Sequence, residues 1–166
     1  RLDVHRQRAI ELGIIELSRD ANSEDEKETV AMRQANAAMM LLRMESPDSV
    51  WPLLKLSPDP RVRSLVVNHL SPFGGEPEII LSRYESETDV SIKRALLLCL
   101  GGFDASRLTE ANREPVVQLV SDVYRNNPDP GLHAAARWLL VRWGQAGQVN
   151  SIDAELQTDE TQKQWY

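Results

Sequence analysis

The sequence has little of what disulfides, metal sites and membrane spans require. Its 166 residues include a single cysteine, Cys99, and three histidines at positions 5, 69 and 133. One cysteine can form no internal disulfide, and the histidines are too far apart for the tight ligand spacings of a zinc site. No apolar run approaches the roughly 18 residues of a membrane span, and the first residues lack the apolar core of a signal peptide. We therefore expect no cofactor, no metal and no membrane contact, and nothing in the sequence indicates a compartment.

Catalytic signatures are also missing. Cys99 has no histidine or helix start close to it in the sequence that would activate the thiol, and no G-x-S-x-G surrounds Ser64 or Ser91. The glycine pairs 74–75 and 101–102 follow apolar stretches, whereas a phosphate-binding loop opens a helix after a strand. The sequence therefore predicts a chain that is not an enzyme and has no small-molecule substrate.

The formal charge of −6 comes from the two ends of the chain. Residues 59–144 hold 11 acids and 10 bases, while the acids of 23–28 and 153–160 are expected on solvated loops or tails. A duplex-binding surface normally carries a basic excess, because phosphate contacts supply most of the affinity. The composition therefore disfavours nucleic acid as a partner. The 42% apolar and 27% charged content is that of a folded chain.

Four similar segments recur along the chain. They are TVAMRQANAAMM from Thr29, DPRVRSLVVNHL from Asp59, DVSIKRALLLCL from Asp89 and DPGLHAAARWLL from Asp129. Apolar residues spaced i, i+3, i+4, i+8 place one broad apolar stripe on a helix in each segment. The aligned columns are Met32, Val62, Ile92, Leu132; Ala35, Leu65, Ala95, Ala135; and Met40, Leu70, Leu100, Leu140.

The segments also carry signals for helix ends. Asp59 and Asp129 can accept hydrogen bonds from first-turn amides, and each precedes a proline, which is tolerated at a helix start. The glycines that follow the stripes, at 74–75, 101–102 and 144, are expected to form left-handed helix caps.

A shorter apolar pattern precedes each Asp-led segment, so each segment is expected to have a partner helix. The residues nine and five positions before the three Asp residues are all apolar: Val50, Leu54, Ile80, Tyr84, Val120 and Tyr124. Pro52, Pro77 and Pro115 are expected in or near the first turns of these helices, and Asn112 is expected to cap the third. Because a hairpin of about 30 residues cannot bury its own stripe, successive hairpins must stack.

The predicted fold is therefore an all-α superhelix, a solenoid of three to four stacked helical hairpins. We expect an N-terminal capping helix within residues 1–25, built on the amphipathic stretch 5–19, and helical repeats over 26–146. Residues 147–166 are expected to form a C-terminal cap and a polar linker.

Hairpins that open with D-P-x-V-R resemble HEAT-type repeats, which are armadillo-like solenoids. More specifically, four stretches are similar to the repeat region of large bacterial multidomain proteins, over about residues 30–146. They are RQANAAMMLLRM, VWPLLKLSPDPRVRSLVVNHLSPFG, DVSIKRALLLCLGGF and NNPDPGLHAAARWLLVRWGQ. In that family the region lies between a Ser/Thr protein kinase-like part and a domain related to the formylglycine-generating (sulfatase-modifying factor) enzymes. The final QWY is similar to the start of that domain. The resemblance implies a scaffold or spacer that ends at a domain boundary, within a parent protein that could be membrane-anchored.

Two groups of residues are candidate binding elements. Arg33, Arg63, Lys93 and His133 share one column, which predicts either a basic stripe for a partner or a ladder of ion pairs with the Asp residues. Trp138 and Trp143 are candidate exposed anchors, with packing against the C-terminal segment as the alternative. Trp51 and Cys99 are expected in the core.

The expected function is protein binding, as a scaffold within a larger signalling or sulfatase-modifying-type protein. One alternative is a nucleic-acid-binding module, for which six bases would have to converge: Arg61, Arg63, Lys93, Arg94, Arg137 and Arg142. Another is a lyase-type enzyme, which rests only on analogy with other HEAT-like folds.

Overall fold

In the computed structural model, the regular elements of the described residues are all helices. The structure describes Arg8 and residues 23–73 and 75–158. The α-helices are α1 Glu24–Arg43, α2 Arg61–Leu70, α3 Pro77–Ser86, α4 Val90–Leu100, α5 Glu110–Asn126, α6 Pro130–Arg142 and α7 Ala146–Thr158. Three 3₁₀-helices span Pro47–Ser49, Trp51–Leu54 and Ala105–Arg107. The all-α prediction is confirmed. Apart from Arg8, the expected capping segment 5–19 lies outside the described residues, as does the end of the tail.

The three Asp-led helices form a row. α2 packs against α4, and α4 packs against α6, in the order of the chain. α3 lies against α4 and α5 lies against α6, while α1 covers α2. At the other end α7 packs against α5 and α6. None of the helices within the described ranges is both long and apolar enough to cross a membrane.

The core follows the predicted columns closely in α4 and α6. The column residues of these two helices are all buried: Ile92, Ala95, Leu96, Leu100, Leu132, Ala135, Ala136 and Leu140. In α2, Val66 and Leu70 are buried, and Val62 and Leu65 pack against the core from partly buried positions. Val149 and Ile152 of α7 are buried as well, so the expected C-terminal cap contributes to the same core.

The alignment of the first segment agrees with the structure at Ala35, which is buried, but not at Met32 and Met40. α1 begins at Glu24, and Thr29 lies inside it. Ser23 and Glu26 form a reciprocal capping box, and three acids occupy the first turn, where the helix dipole favours them. The acids at 23–28 therefore start a helix and do not form a loop. Met32 and Met40, which were placed in core columns, are 38% and 53% exposed.

The partner helices differ from expectation at two places. Ahead of Asp59 the chain forms two short 3₁₀-helices instead of one α-helix. Pro47 and Pro52 explain the break, because each lacks the backbone N–H that would donate to a carbonyl in a continuous α-helix. α5 begins at Glu110 after Thr109, so Asn112 is not a cap and Pro115 lies within the helix. α3 starts at Pro77 as predicted.

Asp129 is the N-cap of α6 as predicted, whereas the N-cap of α2 is Pro60 and Asp59 lies one residue before it. The Leu132 amide donates to Asp129 at 2.7 Å, and the Arg61 amide donates to Asp59 at 3.0 Å. Of the glycines expected as caps, residue 74 lies outside the described residues, and among the others Gly144 alone is left-handed. Gly144 has a φ of +76°, the left-handed conformation expected of a helix-ending glycine. Gly101 has a φ of −68° and is not left-handed. Its need for glycine is steric, because a Cβ there would lie 2.1 Å from the ring of Trp138.

Substitution in the central helix tests the stacked core. Leu96 has 0% exposure at the contact of α4 with its neighbours. We expect Leu96→Ala to lower the free energy of unfolding by about 2–5 kcal/mol, because it leaves a cavity. Leu56→Ala makes the same chemical change at a residue that is 65% exposed, and it should change stability by less than about 0.5 kcal/mol. Urea unfolding followed by circular dichroism measures both, and equal effects would contradict a core centred on α4.

Candidate interaction surface

The four residues of the predicted basic column do not share one environment. Arg33 is exposed on α1. The Lys93 ammonium lies 5.1 Å from the centre of the Tyr84 ring, a cation–π distance. The ring of His133 lies 4.4 Å from that of Tyr124. Two of the four thus contact aromatic residues of the partner helices.

Arg63 connects two successive repeats through backbone carbonyls. Its Nε donates to Leu54 O at 2.9 Å, and its Nη2 donates to Ser91 O at 3.1 Å. Burial lowers the pKa of Arg63, and the nearby charge of Arg94 lowers it further. The expected pair between this base and an Asp is not the contact that it makes.

The Asp residues pair instead with other bases. Asp59 lies 2.6 Å from Arg61 within its own repeat. Asp129 lies 3.1 Å from Arg94 of the preceding repeat, one position after the predicted column. Gly131 permits that pair, since a Cβ there would lie 1.9 Å from the Arg94 guanidinium carbon. One ion pair therefore joins α4 to α6, and its base is Arg94, which lies outside the predicted column.

Asp89 at the start of α4 is the most strongly stabilised carboxylate of this edge. Its Oδ1 accepts hydrogen bonds from the Ser91 hydroxyl at 2.6 Å and the Ile92 amide at 3.2 Å. Lys55 lies 3.2 Å from the other oxygen. The Ser91 hydroxyl, followed by the Ile92 amide and Lys55, lowers the pKa of Asp89 to about 2.

At the opposite edge, where the Asp-led helices end, a second set of hydrogen bonds joins neighbouring repeats. The three carbonyls after α4 each accept a hydrogen bond from a neighbouring helix or its end. Gly101 O accepts from Arg142 Nε, Gly102 O accepts from Ser71 Oγ at 2.7 Å, and Phe103 O accepts from Trp143 Nε1 at 3.1 Å. The end of α4 is thereby joined to both α2 and α6.

The two candidate anchors, Trp138 and Trp143, differ in exposure. Trp143 is only 7% exposed and its indole nitrogen is used in the bond to Phe103 O, so it is not an exposed anchor. Trp138 is 43% exposed. Its ring lies against Gly101, in the preceding repeat, and the Arg142 guanidinium lies 5.9 Å from its centre. Trp51 is buried, as predicted.

Trp138 belongs to an exposed strip that we call the carboxyl-end surface. It consists of Phe73, Trp138, Val141 and Arg142, which lie in the last turns of α6 or just beyond the end of α2. Phe73, Trp138 and Val141 are between 43% and 47% exposed. Proteins use exposed aromatic residues beside arginine as binding hot spots. Sequence reasoning proposed Trp138 as an anchor but named Arg142 only among the six bases of the nucleic-acid alternative. The contact of Arg142 with Gly101 spans 41 residues, so no local pattern could indicate it.

The only cysteine is buried in the core, as expected. Cys99 has 0% exposure, and burial raises the pKa of its thiol to about 12. A thiol with such a pKa is almost fully protonated at neutral pH and is a poor nucleophile. Within the part of the chain that the structure describes, no three His, Cys, Asp or Glu side chains are grouped so as to hold a metal ion.

Comparisons with known proteins add no family. No family model matches the sequence, and no curated protein or solved structure is significantly similar to the chain. The similarity to HEAT-like repeat regions therefore stays an expectation that rests on the Asp-led segments.

Arg63 offers a test of the contacts between α2 and α4. We expect Arg63→Ala to lower the free energy of unfolding by about 1–3 kcal/mol, because two carbonyl oxygens lose a charged donor. Arg33→Ala is the control, since Arg33 is exposed on α1 and should change stability by less than about 0.5 kcal/mol. Unchanged thermal stability of Arg63→Ala would contradict the structural role and favour a partner-binding one.

The lowered pKa of Asp89 predicts a pH dependence. A carboxylate with a pKa of about 2 in the folded chain and about 3.9 unfolded stabilises the fold above pH 4 and loses this contribution as the pH falls towards 2. We expect the stability difference between the wild type and Asp89→Asn to narrow over that range. Urea unfolding at several pH values measures it, and a constant difference would contradict the prediction.

Proposed function

We propose that the chain is a non-catalytic helical-repeat scaffold that binds a protein partner. The observation that carries the proposal is the row formed by α2, α4 and α6, in which each helix packs on the next one along the chain. Such a row extends a surface in one direction, and extended surfaces of this kind suit the binding of another protein.

The finer architecture that we propose is a HEAT-like solenoid. The α3–α4 and α5–α6 pairs are two successive hairpins, and the 3₁₀-helices with α2 supply a shorter third. Arg94 and Asp129 join equivalent edges of neighbouring repeats, which is typical of stacking through nearest neighbours. In the larger proteins that the sequence resembles, such a unit would space a kinase-like part from a formylglycine-generating-type domain.

The ionisable groups support a structural role better than a catalytic one. Asp59, Asp89 and Asp129 each accept backbone amides at a helix start and each lie near a base. Carboxylates used in this way hold helices in place and have low pKa values, whereas a general acid needs a raised one. The thiol of Cys99 is buried and protonated.

Nucleic acid is a weaker candidate partner. Of the six bases that would have to converge on a duplex, three are already paired with carboxylates. Arg61 pairs with Asp59, Arg94 with Asp129, and Arg137 lies 3.7 Å from Asp153. Each paired base contributes less to phosphate binding, because the nearby carboxylate cancels its charge.

A selection of random peptides displayed on phage tests the proposed function. We expect the full chain to enrich a reproducible set of peptides, and the same peptides to bind it when synthesised. A labelled DNA duplex should not bind, even at about 50 mM salt, where phosphate contacts are strongest. Absence of any peptide enrichment, or DNA binding that weakens steeply with salt, would overturn the proposal.

A further inference from the structure

Trp138 departs from the repeat in a way that stacking does not require. It occupies the ninth position after the opening Asp, where the two preceding repeats have Asn68 and Leu98. An amide, a leucine and an indole are thus all compatible with the stacked helices. The α6 indole packs one part of its ring on Gly101 and leaves 43% of the side chain exposed.

Arg142 is positioned beside this indole without a neutralising carboxylate. Arg94, Arg125 and Arg137 each have a carboxylate within 4.0 Å, whereas Arg142 has none among the residues that the structure describes. Its Nε donates to Gly101 O, which uses one of the five N–H donors of a guanidinium. A bond to a fixed carbonyl and a neighbouring ring hold the charged group in place.

We propose that Trp138 and Arg142 bind an acidic segment of a protein partner. A carboxylate of that segment pairs with the remaining N–H groups of Arg142, and an adjacent apolar side chain packs on the exposed indole. Arginine binds carboxylates through two parallel hydrogen bonds. A negatively charged carboxylate is therefore the group that complements Arg142. Because the guanidinium is already held, little side-chain freedom is lost on binding. The inference rests on the protein-binding function proposed above.

The other charges near the carboxyl-end surface are of both signs, and Glu45 lines one cavity with Arg43 and Glu76. Asp104 accepts the Ser106 amide, and Glu76 lies 4.0 Å from Arg107, which is itself 56% exposed. Arg43 adds a further cation, whose guanidinium donates to Phe73 O at 2.7 Å. Bases in this region therefore at least balance the acids, although the whole chain carries −6.

The exposed apolar pair at the opposite edge has no such cation. Leu56 is 65% exposed and Val90 is 43% exposed. The Leu56 amide donates to Ser91, and the nearby Lys55 is paired with Asp89 at 3.2 Å. That edge resembles the carboxyl-end surface in exposed apolar area and differs in available positive charge, which makes it a matched control.

The same peptide selection distinguishes this inference from the broader function. We expect peptides enriched on the full chain to be rich in Asp and Glu and to contain an aromatic or long aliphatic residue. Fluorescence anisotropy with the best synthetic peptide should show a Kd raised about tenfold or more by Trp138→Ala and by Arg142→Gln. Leu56→Ala and Val90→Ala should leave the Kd within about twofold. Circular dichroism and thermal melts establish that each variant is folded.

A second measurement leaves the protein unchanged. Replacing every Glu of the bound peptide by Gln, or raising the salt from about 50 mM to 200 mM, should weaken binding, because the contact depends on charge. Enriched peptides that are basic, or that bind equally to the Trp138 and Arg142 variants, would overturn the acidic-partner inference and leave the scaffold intact. A selection that enriches nothing would overturn both.

Discussion

The structure depends on apolar stripes that no single hairpin can bury. The i, i+3, i+4, i+8 pattern gives each Asp-led helix a wide apolar face, and one partner helix covers only part of it. Packing α2 on α4 and α4 on α6 covers the rest. α4 consequently has neighbours on both sides, and Leu96, Leu97, Cys99 and Leu100 are almost fully buried in it. Burial of apolar side chains thus favours the packing of α2, α4 and α6 in a row, and polar contacts then hold the helices in position.

Those polar groups act at both ends of the helices. At the starts, an Asp satisfies the free amides and a base from an adjacent position neutralises it, as Arg94 does for Asp129. At the ends, the last helical carbonyls accept amides of the turn that follows the helix. Donors from neighbouring repeats then bond the carbonyls of that turn. The carbonyls of Gly101, Gly102 and Phe103 receive such donors from both sides. Each contact is modest, and together they join α2, α4 and α6 at both ends of the helices.

The sequence predicted the parts of the fold that local patterns determine. The apolar period and the Asp caps located α4 and α6 and their buried faces. The period failed for α1, where Gln34 and small alanines share the buried face and two methionines are exposed. The capping signal of Ser23 and Glu26 was interpreted as a loop. The sequence could not predict which groups pair. Arg63 could pair with Asp59 or with a carbonyl, and only the positions of Leu54 and Ser91 in space decide between them. Likewise, nothing local distinguishes the buried Trp143 from the exposed Trp138.

Repetition itself separates structural residues from candidates for binding. A residue type that recurs at the same position in successive segments serves what the segments share, which here is stacking and capping. Trp138 places an indole where the earlier repeats have Asn68 and Leu98. Arg142 adds a guanidinium at the end of the last Asp-led helix. Stacking and capping do not explain these two residues. Trp138 and Arg142 also contact Gly101, which lies where α4 is joined to its neighbours. The binding surface that we infer therefore lies beside Gly101, where the Trp138 ring and the Arg142 guanidinium are already held and have little freedom to lose on binding.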